Sequence, residues 1–460
     1  MSDMAAIKQE QLIGLIETGE RQRLRMMLND LHPADLAEWF EELDSERRLS
    51  CFRLLDLDNA SAVLAELDTE SQRNLLKDLG DMGVVPIISA MSPDDAADLL
   101  AELPEAKASS IISQMADNEA AGELVELLSF SDDSAGGIMS TDYLEVSATM
   151  KADEALLHLR ETYKKEEEEI YDLFVVDSDE RLVGWLSVKE LLLAPPDATV
   201  ESLMDTSIIS VRVDEDQEEA AEKIQKYDLL SLPVIDNNGK LRGIITADDA
   251  IDVIEEEADE DIYKSSGIEV SDAEISESLG TSVRQAFKAR IPWLVVTLVI
   301  ESGSAAVITH FDEVIKQTII AASFMPLLTS LTGSVAMQST CITLRTQKKQ
   351  ISLKSAFKNI WHEARVGILL GIACGILTFA LSYAFNQQSG QQLGIVVGVS
   401  LLITMSVGVL IGTLIPLAFE KIGVEPAHAS GPLITSLLDV CTMSIYLSIV
   451  HAFLSKIVTK

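Results

Sequence analysis

The stretch Pro426–Tyr446, PAHASGPLITSLLDVCTMSIY, decides how the whole chain is read. A Pro/Gly-rich lead turns into an apolar helix, and one carboxylate, Asp439, falls about two helical turns inside it. A charge at that depth of a bilayer is costly unless it is paired, wetted or ligated, so Asp439 is expected to serve function. A hydrogen bond to a neighbouring helix is the structural alternative. No Lys or Arg lies within the later apolar spans to neutralise it, apart from Lys316 near an end.

Working outward, apolar spans run over roughly 291–309, 314–336, 366–385, 393–419 and 432–453. Each is long enough to cross a hydrocarbon core of about 30 Å, and Pro416 is a place where the fourth can tilt or break. Gly303, Ser304, Gly333, Gly371, Gly375, Gly398, Gly408 and Gly412 are expected to let helices approach closely. Met325–Pro326 and Gly431–Pro432 are expected to start or break helices. The 337–365 loop carries Arg345, Lys348, Lys349, Lys354, Lys358 and Arg365, whereas 386–392 carries no charge. The basic loop is therefore expected in the cytoplasm, with the N-terminus inside and, after five crossings, the C-terminus outside. The N-terminal MSDMAAIKQE is polar, so no cleavable leader is expected. These features predict a multi-pass protein of the cell's inner (plasma) membrane, in contact with lipid.

Charge divides the chain in the same place. From Ile291 onward ten Lys/Arg face seven Asp/Glu, while the first 290 residues hold 25 Lys/Arg against 67 Asp/Glu. Such an acidic half repels nucleic acid and concentrates cations, although acid also serves simply to keep a large domain soluble. Cys51, Cys341, Cys374 and Cys441 show no CxxC pair and read as small hydrophobes in a reducing setting.

Residues 1–133 read as an all-α superhelical domain. Leu43, Leu55, Leu67, Leu79, Met91, Leu103, Met115 and Leu127 recur every twelve residues, often followed by a turn or cap residue. Units this short bury their apolar faces only on their neighbours. In SPDDAAD, Asp94, Asp95 and Asp98 are either helix-capping residues after Ser92 or a face that holds a cation.

Beyond the linker SDDSAGG (131–137) a second repeat appears. Met139, Val146 and Ala155 recur 65 residues on as Met204, Val211 and Ala220. Asp177, Gly184, Ser187 and Glu190 recur 59 residues on as Asp236, Gly243, Thr246 and Asp249, so the first copy (134–200) is longer than the second (201–254) around TYKKEEEEI. Each copy reads strand, helix, strand, turn, strand, helix. This α/β pair resembles the tandem CBS module, and GIITADD resembles that family's ribose-contacting pattern. The resemblance implies ATP or another adenine nucleotide at Gly243, Thr246 and Asp249, while the same residues also suit a plain strand-to-helix cap.

The acidic stretch ADDAIDVIEEEADEDIYKSSG follows and is expected to lead into a connecting helix over 255–289. Ile251, Ile254, Ala258 and Ile262 form its expected packing stripe, and a divalent cation would relieve the repulsion among its carboxylates.

Enzymatic motifs are missing. His362–Glu363 lies in HEARV, which lacks the second His of HExxH, and there is no P-loop, no aspartyl-phosphate stretch and no metal-ligand spacing among the histidines. Five helices are few for a pore, so a homodimer with Asp439 near its axis is expected; Mg²⁺, which sheds water reluctantly, suits a carboxylate pair that touches the hydrated ion. Glu301 in the first span is a second candidate.

Taken together, the superhelical acidic domain, paired CBS units, acidic connecting helix and five-helix domain (290–460) resemble the MgtE family of Mg²⁺ channels. Local likenesses are ArgIleProTrpLeu at 290–294, Pro-Ala-x-Ala-Ser-Gly-Pro at 426–432 and Asp439–Val440. The resemblance implies a homodimeric channel in which Asp439 binds hydrated Mg²⁺. It implies cytosolic Mg²⁺ sensing at Asp94, Asp98, Asp216, Glu218, Asp228, Asp249, Asp252, Glu257, Glu260 and Asp261, with the acidic helix as gating plug. The chain departs from the family pattern at Gly333-Ser334-Val335-Ala336-Met337-Gln338, which replaces a G-N-x-G-N-Q signature. It departs again at Glu425, and at Cys441–Thr442 after Asp-Val. An exchange or ion-coupled carrier of Mg²⁺, Co²⁺ or Mn²⁺, or a non-transporting Mg²⁺ sensor, are the alternatives.

Overall fold

The computed structural model describes residues 3–162, 171–268, 283–347, 353–385, 390–422 and 431–458. The chain divides near residue 257 into two compact units. Most of TYKKEEEEI, the later part of the expected 255–289 connecting segment and residues 426–430 of the Pro-Ala motif lie outside the described residues.

The first unit opens with α1 (Asp3–Thr18) and α2 (Arg21–Leu28). Then come α3 (Pro33–Glu41), α4 (Ser45–Phe52), α5 (Leu57–Ala65), α6 (Thr69–Leu79), α7 (Asp81–Ile88), α8 (Pro93–Ala101), α9 (Glu105–Ile112) and α10 (Asn118–Leu127). There is one helix per twelve-residue period, and α3 packs on α5, α4 on α6, α5 on α7, α7 on α9 and α8 on α10. The Leu-Asp joints explain the punctuation. Asp44, Asp56 and Asp68 cap α4, α5 and α6 by accepting from the backbone N–H of Arg47 (2.9 Å), Asn59 (3.2 Å) and Ser71 (2.6 Å).

One buried cation ties the early joints. Arg48 donates to the carbonyls of Phe40 (2.8 Å), Glu41 (3.2 Å) and Leu43 (3.2 Å) and to Ser71 Oγ (2.9 Å), closing off the end of α3. Arg48→Met keeps the packing volume but strands those carbonyls. It is expected to cost about 3 kcal/mol, read as a lower unfolding midpoint in thermal melts.

The paired α/β modules follow with matching topology. In the first, β1 (Glu145–Ser147) runs parallel to β2 (Asp172–Val176), which pairs antiparallel with β3 (Leu182–Ser187); α11 (Ala152–Thr162), α12 (Val188–Leu193) and α13 (Val200–Leu203) flank them. In the second, β4 (Val211–Arg212) is parallel to β5 (Ser231–Ile235) and β5 antiparallel to β6 (Leu241–Thr246), with α14 (Gln217–Tyr227) and α15 (Ala247–Ser265). The repeat reappears as an exchange: a Cβ at Gly184 would meet Met204 Sδ at 2.5 Å, and one at Gly243 would meet Met139 Sδ at 2.8 Å. Each glycine thus accommodates the methionine that opens the other copy.

The acidic helix differs from its expected packing. Ala250 and Val253 are buried, whereas Ile251, Ile254 and Ile262 are exposed on this single chain. Helical spacing located an apolar stripe, but Ala250 and Val253 on the neighbouring flank are the residues that join the core with Val211, Leu232 and Val234.

The second unit is helical: α16 (Val283–His310), α17 (Asp312–Gln317), α18 (Ile319–Ala322), α19 (Met325–Gln347), α20 (Leu353–Phe385), α21 (Gly390–Lys421) and α22 (Gly431–Val458). Five stretches are long and apolar enough to cross a membrane: Ala286–His310, Ile319–Thr346, Phe357–Leu381, Gln392–Phe419 and Gly431–Phe453. Met325–Pro326 and Gly431–Pro432 stand at helix starts, as expected. The second span, however, extends past 336 to Gln347 and is preceded by two short helices.

Pro416 does not break the fourth span; α21 runs through it. A proline has no N–H, so the carbonyl four residues back loses its partner. That carbonyl belongs to Gly412, and Thr340 Oγ1 of α19 donates to it at 3.0 Å. The helix continues because its neighbour supplies the missing donor. Nearby, Gly375 and Gly398 bring α20 and α21 together so tightly that a Cβ on either would lie 3.0–3.1 Å from the other's carbonyl oxygen.

Candidate functional site: an acidic cytosolic cleft and an intramembrane carboxyl pair

In the first unit, α8 and the start of α15 bring carboxylates to one cleft of about 660 Å³. Its acidic lining comprises Glu66, Asp94, Asp95, Asp142, Asp172, Asp248, Asp249 and Asp252, and among the described residues it has no Lys, Arg or His. Ser92 is the N-cap residue of α8 but makes no side-chain cap bond; its hydroxyl lies 2.6 Å from Asp95 Oδ2 instead. Asp94 lies in the first turn of α8. It is buried, and its Oδ1 has no hydrogen-bond partner.

An orphaned buried carboxylate oxygen among like charges favours protonation or a cation. Burial, and then the charge of Asp95, pushes Asp94 up to about 6. Asp249 rises to about 6 through burial and then the charge of Asp94, against the opposing bond from Thr246. Asp98, one turn after Asp94, reaches solvent yet is hemmed in; enclosure and then the charges of Asp94, Asp95 and Asp249 push it up to about 8. Asp252 is raised by burial and then by Asp248 and Glu255. Among the described residues no three His, Cys, Asp or Glu side chains close into a ready coordination sphere. The cleft's chemistry is that of a roomy acidic site, which fits an ion that keeps part of its hydration shell.

The remaining sensing candidates are dispersed. Asp216 caps α14, accepting from Glu218 N–H at 2.8 Å, and neither residue lines the cleft. Asp228 ends α14 in the left-handed conformation and lines a second cleft of about 420 Å³, with Phe174, Trp185 and Tyr227. Glu257 accepts from Gln217 Nε2 at 2.9 Å. Glu260 pairs with Lys264 at 2.5 Å, and Asp261 lies one residue beyond it on α15.

Of the nucleotide candidates, Thr246 and Asp249 line the acidic cleft, but the Thr246 hydroxyl is bonded to the Asp249 carboxylate, the cap at the start of α15. Gly243 is not in the lining; it admits Ser140, whose backbone exchanges hydrogen bonds of 2.8 and 2.9 Å with Ile244. Gly243→Ala would force its Cβ to 2.6 Å from Ser140 O. The expected result is a loss of about 2 kcal/mol of stability in chemical denaturation, with nucleotide affinity moving only as far as folding does.

In the second unit, Asp439 of α22 lies against α16, and its carboxyl is within interaction range of that of Glu301. Gly303 of α16 also touches α22: a Cβ there would sit 3.2 Å from Val440 Cγ2. The two carboxylates proposed separately from sequence are thus neighbours. A third acid was passed over. Glu363 of α20 is buried and accepts from Ser339 Oγ of α19 at 2.9 Å. Its signal was the HEARV segment, which was weighed only as a broken zinc motif.

The carboxyl-terminal α22 begins beside the acidic helix's end. Gly267, at positive φ just after α15, would place a Cβ 3.2 Å from Pro432 and 3.6 Å from Trp293.

Comparison with known proteins agrees across all these parts. Residues 325–449 match the MgtE family, described as a divalent cation transporter; 31–133 match the MgtE intracellular N domain; 135–197 and 200–256 match CBS domains. The magnesium transporter MgtE of Bacillus subtilis is 33% identical over 449 residues, 97% of either chain. That of Thermus thermophilus is 32% identical over 96% of this chain and 97% of its own. A crystal structure of the cytosolic domain of the Mg²⁺ channel MgtE in complex with ATP is similar to 53% of this chain and 99% of its own, at 35% identity and a TM-score of 0.51. Spanning the full domain order of these relatives, with five helices able to cross a membrane, the chain is a multi-pass membrane protein that belongs to the MgtE family of divalent cation transporters.

Proposed function

We propose that the protein is a homodimeric Mg²⁺ channel in the cell's inner membrane, cytosolic half inward, that is held shut by cytosolic Mg²⁺. The observation that carries this reading is the Asp94 oxygen, buried and without a donor, beside Asp249 in a cleft that has no basic lining among the described residues. A cation between α8 and α15 screens their repulsion and holds the N-terminal domain on the second CBS unit; without it the like charges part. The acidic helix, whose following glycine touches Pro432 at the start of α22, provides the link from that cleft to the helix of Asp439. The wider sensing set, from Asp216 to Asp261, acts as the surrounding negative field.

ATP or another adenine nucleotide is proposed as a second ligand, as in the related cytosolic domain crystallised with ATP. Eight carboxylates disfavour a polyphosphate in the acidic cleft. The smaller cleft, walled by Phe174, Trp185 and Tyr227, is the better seat for an adenine ring.

The test is limited proteolysis of the full-length protein in lipid from zero to high millimolar Mg²⁺. Cleavage within 255–265 is expected to fade as Mg²⁺ rises, and less so in Asp249→Asn. Cleavage that ignores Mg²⁺ would remove the gating model.

A further inference from the structure

The α16–α22 contact holds more than two carboxyl groups. Ser304 is the one buried residue of α16 among those whose side chains are described, and α16 packs chiefly on α22. Glu301 and Gly303 both touch α22. At about 100° per residue, Ser304 falls between them on the helix circumference, so its hydroxyl is aimed at the same interface.

Hydroxyls in such helices ordinarily donate to the carbonyl one turn back. Thr297, Ser302 and Thr309 do so on α16, and Thr435, Ser436 and Ser444 on α22. Ser304 and Thr442 do not. Both are buried, 8% and 1% exposed, and neither oxygen has a hydrogen-bond partner. They stand one turn beyond Glu301 and Asp439 respectively. Two acids in contact, with no basic group acting on Asp439 and an unpartnered hydroxyl pointed between their helices, are an oxygen set left open for a ligand.

We infer that Glu301, Asp439 and the Ser304 hydroxyl form a divalent-cation site inside each subunit, between the first and fifth spans. Oxygen-only donors select a hard cation of the Mg²⁺ or Mn²⁺ kind. The site deepens the channel reading, since it shares Asp439, but adds a ligand from another helix. It makes Glu301 and Ser304 determinants of how tightly the permeating ion is held.

The experiment is Mn²⁺ titration of the full-length protein in lipid nanodiscs, with free Mn²⁺ read by electron paramagnetic resonance. Mg²⁺ uptake into liposomes is measured beside it. Glu301→Gln is expected to lose one bound Mn²⁺ per chain, or weaken it about tenfold, and to raise half-saturating Mg²⁺ for uptake. Ser304→Ala separates a ligand from a structural hydroxyl. Loss of a ligand weakens Mn²⁺ binding, whereas removal of a merely orphaned group raises the melting temperature and leaves binding alone. Unchanged binding in both variants overturns the site; should Glu301→Gln fail to fold, unchanged binding in Ser304→Ala does so. If Asp439→Ala stops uptake while both variants bind and transport as wild type, this site falls and the channel reading stands. If wild type carries no Mg²⁺ yet Glu301→Gln loses a Mn²⁺, the channel reading falls and the site stands.

Discussion

Asp439→Ala is expected to lower Mg²⁺ uptake into liposomes by about a hundredfold, with the protein still eluting as wild type. The size of the effect follows from position. The carboxyl lies about two turns inside α22, half-buried, with the Glu301 carboxyl against it, so its loss removes one of the two acids that meet there. Removing the carboxylate leaves Glu301 to meet the ion alone. Asp439→Asn preserves shape and hydrogen bonding, so it separates charge from packing; it is expected to behave like the Ala variant. Uptake within a few-fold of wild type in both would show that the ion is handled elsewhere.

Asp94→Asn together with Asp249→Asn is expected to leave uptake open when cytosolic Mg²⁺ is high, raising the concentration for half-closure at least about tenfold. The same groups give a pH signature. Asp94 and Asp249 near 6 and Asp98 near 8 lie above the ordinary carboxyl value of 3.8. The folded cleft therefore binds more protons than the unfolded chain from about pH 4 upward, and its contribution to stability falls as pH rises through 6 to 8. Mg²⁺ supports the ionised form, so adding it should flatten that decline. The comparison is between melting temperatures of wild type and Asp98→Asn at pH 5 and 8, with and without Mg²⁺. An identical pH slope in the two proteins would mean that the crowded carboxylates do not control this part of the molecule.

Much of this architecture was legible because it rests on periodicity. The twelve-residue spacing of Leu43 through Leu127 became one helix per period, and the 65- and 59-residue offsets became two sheets of one topology. Caps were legible too, since an Asp after a Leu joint has few other uses. Packing direction was not. The Ile251–Ile262 stripe obeyed helical spacing and still remained exposed, because spacing names a face but not which face the sheet covers. Gly243 belongs to the ligand-motif reading, yet it also has Ser140 and Met139 pressed against it, a contact between segments a hundred residues apart that the motif does not record. The meeting of Glu301 with Asp439, and of Asp94 with Asp249, is likewise a product of tertiary packing that no local pattern records.

The Thr340 hydroxyl that completes the Pro416 helix acts at a distance from either carboxylate. Its single proton is shared between Ala336 O of its own helix and Gly412 O across the interface, both at 3.0 Å. The second and fourth spans are thereby clamped like two rails with a shared tie, because sliding one past the other would leave a carbonyl bare in hydrocarbon. Glu301 and Asp439 stand on α16 and α22, the helices that this tie does not join. A Thr340→Val protein should accordingly conduct with looser control, as a lock does whose fixed frame has begun to move with its bolt.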